Sequence, residues 1–408
     1  MINFVFFSPN FPLRNFKYCE ALKERGIRVL GIGDTPYFEL NPRLRNALTE
    51  YYYLPKLDDF AGCCQAMEHF IAEFGPIDYL DSNNEWWLLQ DAKLRERFGI
   101  HSGFYPEEMG PIKAKSQMKA RFQKAGCKTM RYLLVKGPED LSAALSFAKE
   151  VSYPVFVKPD VGVGASHSYR LQNEEEVESF LRLPLPETYI MEECVEGEIV
   201  SFDGLCDSNS QVAFSTSEHF PVSIADMVHD LGDDYFYAAP FELPMDDVDP
   251  KEFEAMGKRA IASFGIKQRF FHLEFFVLSK DRPGLAKKGE AVALECNMRA
   301  PGGYSADLID FSSSLSVYQI YADLIAYDEN RQDMGKEKYY AFAVERRDIH
   351  HYVHPDEELF AHYPIIASGR YPAALSDDMG DRYFFARFKS LEEGRKFAQE
   401  GLLQVTKR

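Results

Sequence analysis

Residues 271–307 read FHLEFFVLSKDRPGLAKKGEAVALECNMRAPGGYSAD, and this segment is the most informative part of the chain. Its apolar runs on either side of a polar loop predict two β-strands joined as a hairpin. Side chains alternate between the two faces of a strand, so Glu295 and Asn297 point the same way. If the hairpin folds symmetrically about residues 284 and 285, Glu274 lies directly opposite Glu295.

This facing pair of glutamates needs a reason, because two carboxylates opposite each other repel and a sheet normally avoids the arrangement. A bound divalent cation removes the repulsion. Ligands that are all oxygen atoms suit Mg²⁺, with Mn²⁺ as the alternative. We therefore predict a metal site formed by Glu274, Glu295 and Asn297; a solvated sheet face with scattered charge is the other interpretation. Cys296, which lies between two of these residues, should face the opposite side of the sheet and belong to the core.

The composition limits the class of protein. The chain has 408 residues, enough for two or three domains, and a formal net charge of −18, which argues against a nucleic-acid-binding or anionic-membrane-binding surface. No apolar run is long enough to predict a membrane-spanning helix. The first residues, MINFVFF, predict a strand and not a signal peptide. Seven cysteines without paired metal-type spacing indicate reduced thiols, so we expect a cytoplasmic protein.

The chain divides into four predicted regions. Residues 1–110 alternate strands and helices, which predicts a parallel-sheet, Rossmann-like domain, although no GxGxxG fingerprint follows the first strand. Residues 111–186 open with a basic helix at 112–125, and residues 187–325 contain several strands and the hairpin. Residues 326–408, which contain a charged linker, predict a small appended subdomain that either covers the site or forms a dimer contact.

Two segments allow more than one interpretation. Residues 218–249 predict a loop-rich insert whose aromatic residues shape a substrate pocket, although loop packing explains them nearly as well. His219 and His229 in this insert could bind a metal, but surface histidines are commoner. Glu85 follows a strand end, where it either lines a crevice at the carboxyl edge of the sheet or starts a helix.

A second motif predicts phosphate binding. Lys158 ends an apolar strand and is followed by a loop of small residues that includes Gly162, Gly164 and Ser166. The glycines let backbone N–H groups approach an anion closely. The motif differs from the Walker loop because the lysine precedes the glycines, and alone it fits a surface hairpin equally well. Lys115 lies in the basic helix, from which one or two side chains could reach a phosphate.

The segment YIMEECVEGE, residues 189–198, predicts a strand that runs into an acidic turn. Main-chain groups near Glu193 and Val195, at the end of that strand after Glu192, could pair with an adenine edge. An acid such as Glu198 could hold ribose hydroxyls. The alternative is an ordinary acidic loop on the surface.

Taken in order, these segments resemble the ATP-grasp superfamily of carboxylate–amine ligases, over residues 1 to about 325. The resemblance implies that Lys115 and Lys158 are the two ATP lysines and that residues 160–168 form a glycine-rich lid. It also implies that residues 191–195 form the adenine hinge, although Glu198 directly follows Gly197, one residue earlier than in many relatives. The implied fold is α/β and α+β: an ATP-grasp fold with an N-terminal Rossmann-like domain and a small C-terminal subdomain.

The resemblance also implies a reaction. ATP phosphorylates a carboxylate, an amine attacks the acyl phosphate, and phosphate leaves; the substrates are an amino acid or small carboxylate and an amine. Glu274, Glu295 and Asn297 are the implied Mg²⁺ ligands. Lys158 and Arg299 are the implied catalytic residues, with Arg299 binding the carboxylate or stabilising the tetrahedral intermediate. The competing hypotheses are a biotin-carboxylase-like or nucleotide-biosynthesis ligase and a non-catalytic ATP sensor; a homodimer stays open.

Overall fold

The computed structural model describes residues 1–162, 167–221, 233–246, 248–333, 335 and 337–405. Three β-sheets organise this part of the chain: a parallel sheet of four strands, an antiparallel sheet of four strands and a large mixed sheet of nine strands. In the described part, no helix has both the length and the apolar character needed to cross a membrane.

The parallel sheet has the order β3–β2–β1–β4 and confirms the predicted N-terminal α/β arrangement. Its strands are β1 (Asn3–Phe7), β2 (Arg28–Gly33), β3 (Glu50–Tyr53) and β4 (Tyr79–Asp81). The helices around it are α1 (Asn15–Glu24), α2 (Pro42–Ala47), α3 (Phe60–Phe74) and α4 (Leu88–Phe98), with a short 3₁₀ helix at Tyr37–Glu39. Every residue of β1 is buried, as expected for a parallel strand covered on both faces.

The antiparallel sheet has the order β6–β9–β7–β8. Its strands are β6 (Tyr132–Val135), β7 (Val155–Pro159), β8 (Tyr169–Leu171) and β9 (Tyr189–Glu193), while β5 (Lys128–Thr129) joins the large sheet. The helices of this region are α5 (Gly110–Lys113), α6 (Lys115–Lys124), α7 (Leu141–Val151) and α8 (Glu174–Leu181), with 3₁₀ helices at Pro106–Glu108 and Pro138–Asp140. Apolar side chains of α7 and α8 pack on one face of this sheet.

The basic helix predicted at residues 112–125 is interrupted in the structure. Ala114 separates α5 from α6 with an extended backbone, φ −94° and ψ 116°. Its strand-like conformation lets it form an isolated antiparallel bridge with Val161. The prediction of one continuous helix was therefore wrong, because pairing with a distant segment outweighs the local helix propensity. The break places Lys115 at the start of α6.

The large sheet has the order β16–β17–β15–β12–β11–β10–β13–β14–β5 and is antiparallel except between β14 and β5. Its remaining strands are β10 (Gly197–Cys206), β11 (Val212–Phe220), β12 (Asp234–Ala239), β13 (Arg269–Leu278), β14 (Ala291–Asn297), β15 (Tyr340–Arg346), β16 (Ile365–Arg370) and β17 (Arg382–Phe388). Strand β12 lies inside the segment predicted as a loop-rich insert, so aromatic residues 235–237 belong to the sheet.

The helices that accompany the large sheet are α9 (Pro250–Phe264), α10 (Ser305–Phe311), α11 (Val317–Tyr327), α12 (Asp356–His362), α13 (Ala373–Met379) and α14 (Leu391–Leu402). The boundaries of α9 follow from its sequence. The Asp249 side chain accepts hydrogen bonds from the first free backbone N–H groups, and Gly265 ends the helix with φ +71°. Its apolar face packs on the core below the hairpin.

The N-terminal domain is fixed against the hairpin. The ring of Phe270 in β13 lies 5.5 Å from Tyr18 of α1 and 5.6 Å from Tyr321 of α11. Arg269, the first residue of β13, forms a buried ion pair with Asp81 at the end of β4. The carboxyl edge of the parallel sheet therefore meets the large sheet beside the hairpin.

Candidate active site

The predicted pair of glutamates faces across the hairpin. In the register of β13 and β14, Glu274 lies opposite Glu295 and His272 lies opposite Asn297. Cys296 is fully buried in the apolar core, as predicted. The side chains of Glu274 and Glu295 are 16% and 26% exposed, so the acidic patch is accessible to a ligand.

Two lysines, one at the start of α6 and one in β7, lie close to this acidic patch. Lys115 Nζ lies 3.7 Å from Glu295 Oε1 and donates to the Gly162 carbonyl at 3.3 Å. Burial disfavours the charge on Lys158 at the end of β7, but nearby carboxylates, with Glu295 and Glu274 among them, raise its pKa above the ordinary value. The structure thus brings the two predicted ATP lysines and the two predicted acidic ligands together.

Glu192, which was predicted to lie in the adenine hinge, forms ion pairs with two lysines. Its carboxylate lies 2.6 Å from Lys119 Nζ and 3.0 Å from Lys158 Nζ. Burial opposes ionisation of Glu192, but the two ammonium groups lower its pKa to about 2. Lys119 is 1% exposed. Sequence reasoning missed this role, although Lys119 follows Lys115 by one helical turn.

Glu193, the next residue of the predicted hinge, is bound by two arginines. Its side chain accepts a hydrogen bond from Arg131 Nη2 at 2.7 Å and another from Arg282 Nε at 3.1 Å. Burial works against the charge, but Arg131 and Arg282 lower the pKa of Glu193. Arg282 belongs to the loop between β13 and β14, so this contact ties the hinge to the hairpin that carries the acidic patch.

The rest of the predicted hinge is less enclosed. Val195 is partly buried and packs beside an apolar cluster that contains Leu278 and Val292. Glu198 is exposed at the start of β10, where it lies opposite Val277. Adenine binding by the main chain at Val195 and ribose binding by Glu198 stay predictions.

The base of the predicted lid is fixed to α6. Asp160 accepts hydrogen bonds from Ser116 N at 2.8 Å and from Ser116 Oγ at 2.9 Å, while Lys115 N donates to the Asp160 carbonyl. These contacts tie the first residue of the predicted lid to the helix that supplies Lys115. Gly164 and Ser166 lie outside the described residues.

Arg299 lies beside the N-terminal domain. Its Nε is 3.9 Å from Glu85 Oε2, and the other oxygen of Glu85 lies 2.5 Å from Lys113 Nζ. Glu85 lies between β4, which ends at Asp81, and α4, which begins only at Leu88, so it is not in the first turn of that helix; its place in a crevice stays a prediction. The side chains of Arg299, Glu85 and Lys113 thus form a charged wall next to the acidic patch.

His272 connects the patch to a buried acidic cluster. Its Nδ1 lies 2.5 Å from Asp203 Oδ1, and its Nε2 lies 3.2 Å from Glu274 Oε1. Burial disfavours the imidazolium, but Asp203 and Glu274 raise the pKa of His272 to about 10. The carboxylate of Glu218 is buried close to both Asp203 and His272. No sequence pattern indicated this cluster, because its members come from β10, β11 and β13.

Of the two histidines in the predicted insert, His219 lies in the described residues, and it belongs to no cluster of metal-ligating side chains found there. His219 is buried and its ring stacks on Tyr237 at 4.4 Å, and burial lowers its pKa to about 3. His219 is therefore a neutral core residue. His229 lies outside the described residues.

The donor set of the patch fits a divalent cation. Glu274, Glu295 and Asn297 offer oxygen atoms on one face of the hairpin, and both carboxylates are accessible. The adjacent lysines, Lys115 and Lys158, supply positive charge where phosphate oxygens would lie beside such a cation.

Comparisons with known proteins show what this chain is similar to. The model of the family described as Carbamoyl-phosphate synthase L chain, ATP binding domain, matches residues 114–195. Alanine–anticapsin ligase from Bacillus subtilis (strain 168) is 26% identical over 243 residues, which are 55% of this chain and 50% of that protein. The chain thus spans about half the length of the curated relatives it matches.

Two solved structures superpose over nearly the whole chain. An L-amino acid ligase from Bacillus licheniformis has a TM-score of 0.71 at 17% identity, covering 100% of this chain and 99% of that one. An N5-carboxyaminoimidazole synthetase from Staphylococcus aureus has a TM-score of 0.70 at 12% identity, covering 98% and 97%. These likenesses confirm the fold predicted from the sequence.

Proposed function

We propose that this chain, whose fold is that of the ATP-grasp proteins, is an ATP-dependent ligase that activates a carboxylate as an acyl phosphate and joins it to an amine. The observation that carries the proposal is the facing pair Glu274 and Glu295 with Lys115 and Lys158 beside it. This combination of acidic oxygens and fixed ammonium groups suits the triphosphate of a nucleotide.

Phosphoryl transfer asks the protein mainly for positioning and charge neutralisation. Lys115 and Lys158 neutralise phosphate oxygens as the terminal phosphoryl group moves to a carboxylate oxygen of the substrate. Mg²⁺ bound by Glu274, Glu295 and Asn297 would supply further positive charge to the phosphates. Glu192, held between two lysines, keeps Lys158 in place and carries the hinge strand toward the nucleotide base.

The charged wall beside the patch suits the organic substrates. Arg299 binds a carboxylate or stabilises the oxyanion that forms when the amine attacks the acyl phosphate. Glu85 offers a carboxylate oxygen toward the same space, which suits an ammonium group. The lid, residues 160–168, would exclude water, which otherwise hydrolyses the acyl phosphate.

Amino acids are the proposed substrate class. The matched alanine–anticapsin ligase and the superposed L-amino acid ligase both carry amino acids in their names. A nucleotide-biosynthesis enzyme shares the fold, but the curated sequence relatives are amino-acid ligases. A non-catalytic sensor is disfavoured because the acidic ligands, both ATP lysines and Arg299 are all present.

The test is phosphate release from ATP with Mg²⁺ and pairs of amino acids or small carboxylates. We expect release that requires two partners and a coupled product detected by mass spectrometry. Release driven by bicarbonate alone would replace this proposal by a carboxylase-type reaction. Nucleotide binding without release for any pair would replace it by a sensor.

A further inference from the structure

Buried polar contacts run from the strand next to the hairpin to one of the proposed metal ligands. Asp203 on β10 lies directly opposite His272 on β13, and the two side chains are 0% and 7% exposed. Asp203 Oδ1 is 2.5 Å from His272 Nδ1. The other ring nitrogen, Nε2, is 3.2 Å from Oε1 of Glu274. The imidazole therefore bridges Asp203 and Glu274.

The far end of this bridge is fixed by the sheet. Ser201 Oγ donates to the second carboxylate oxygen of Asp203 and accepts a hydrogen bond from Glu218 N at 3.0 Å. Both oxygens of Asp203 thus have partners, and both nitrogens of His272 have partners. The imidazole has little freedom to rotate, so Glu274 keeps one orientation before any ligand arrives.

Asp203, His272 and Glu218 could themselves be considered as ligands of a cation, because their ligating atoms lie within 4.8 Å of one another. The contacts favour a different role. Ser201 and His272 already use both Asp203 oxygens, and Asp203 and Glu274 use both ring nitrogens. A cation in this cluster would have to displace these hydrogen bonds.

The two glutamates of the patch differ in this respect. Glu274 is held by a buried ring, whereas Glu295 is more exposed and its ion-pair partner Lys115 lies at 3.7 Å. One side of the patch is thus held in place before binding, and the other side is free to adjust. A preorganised ligand binds a cation more tightly, because less conformational freedom is lost on binding.

We propose that Asp203 and His272 are positioning residues that fix Glu274 for divalent-cation binding. This inference rests on the proposed function, because that proposal assigns Glu274 to the cation. Neither residue touches the reacting atoms; they act through the orientation of the Glu274 carboxylate.

The experiment measures Mn²⁺ binding by electron paramagnetic resonance in the presence of the non-hydrolysable ATP analogue AMP-PNP, so that no turnover is needed. Asp203→Ala removes the acceptor of His272 Nδ1, and we expect the Mn²⁺ dissociation constant to rise about tenfold. Asp203→Asn keeps an oxygen acceptor and should recover most of the loss. The Mg²⁺ concentration for half-maximal phosphate release should rise by a similar factor, with kcat at saturating Mg²⁺ nearly unchanged.

Asp234→Ala is the matched control, since Asp234 is also a buried carboxylate of the large sheet but is not among the residues of the patch. It should leave Mn²⁺ binding unchanged. If Asp203→Ala does not fold, His272→Asn gives the same titration. Unchanged Mn²⁺ affinity in folded Asp203→Ala and His272→Asn overturns the inference alone. Absence of nucleotide-dependent Mn²⁺ binding in the unmodified protein overturns the proposed function as well.

Discussion

In the described part of the large sheet, two pairs of carboxylates face each other across neighbouring strands. The pKa of a carboxyl group is lowered in one pair and raised in the other. Glu274 and Glu295 face across β13 and β14, while Asp234 and Glu345 face across β12 and β15. Burial works against ionisation of Glu274, but His272 and other cations lower its pKa. Burial raises the pKa of Asp234 to about 7 and that of Glu345 well above its ordinary value.

The difference shows that facing acids alone do not specify a metal site. Asp234 and Glu345 are 4% and 2% exposed, and protonation relieves their repulsion. Glu345 also accepts a hydrogen bond from the Tyr371 hydroxyl. The side chains of Glu274 and Glu295 are more exposed, at 16% and 26%, and Lys115 Nζ lies 3.7 Å from Glu295 Oε1. We therefore expect accessibility and neighbouring cations to distinguish a cation-binding pair from a structural pair.

The largest expected effect is a difference in the rate of phosphate release between a variant of each pair. Glu295→Gln removes one charge from the patch, and we expect phosphate release to fall at least about a thousandfold. Glu345→Gln replaces a protonated carboxyl by a neutral amide of similar shape, so turnover should stay within about twofold of the unmodified enzyme. The measurement is the steady-state rate, with circular dichroism as a check of folding. Near-normal activity of Glu295→Gln would contradict the metal assignment.

The second prediction concerns stability against pH. Because the pKa of Asp234 is raised to about 7 on folding, the unfolded chain loses this proton first as the pH rises, and the group's contribution to stability falls between about pH 4 and pH 7. Asp234→Asn lacks this loss. Relative to the unmodified protein, it should therefore gain about 4 kcal/mol in unfolding free energy between pH 4 and pH 8.

Urea unfolding at a series of pH values measures this difference. In the unmodified protein, Tyr235 N donates a hydrogen bond to Asp234 Oδ1 at 2.7 Å. The side-chain oxygen of Asn can accept the same hydrogen bond, so this contact is retained in the variant. A constant difference between the two proteins from pH 4 to pH 8 would show that Asp234 is ionised in the folded protein and would remove the contrast between the pairs.

The smallest expected effect is a shift in melting temperature. Mg²⁺ with AMP-PNP should stabilise the protein, by about 1 kcal/mol more than AMP-PNP alone when the cation is several times above its dissociation constant. Glu345→Gln should keep this Mg²⁺-dependent increment, and Glu295→Gln should lose it. Differential scanning fluorimetry measures both. An increment that survives in Glu295→Gln would place the cation elsewhere.

The hairpin was predictable because its evidence is local. The two glutamates lie the same number of residues from the middle of the polar loop. A symmetric hairpin therefore places Glu274 opposite Glu295. The same alternation placed Cys296 in the core. The register shift after Glu274, which accommodates Leu294 as an extra residue, has no sequence signal in the alternation of the strands.

Features formed by distant segments could not be predicted. Asp203 and His272 are separated by 69 positions, and the pairing of β10 with β13 that joins them depends on the whole sheet. The break at Ala114 has the same origin, since its partner Val161 lies beyond α7 and β7. The pairing of Asp234 with Glu345 likewise joins strands from separate regions of the chain.

The order of the large sheet also determines whether the part of the chain that carries the acidic patch can exist as an independent unit. Strand β15 lies between β12 and β17, so the last strands of the chain cover an edge of the sheet that carries the acidic patch. A protein shortened at Ala326 would expose the backbone N–H and C=O groups of β12, next to the aromatic side chains of Tyr235 and Tyr237. An uncovered edge of this kind pairs readily with other chains. Residues 1–326 produced without the rest of the chain should therefore aggregate and should not form a smaller active protein.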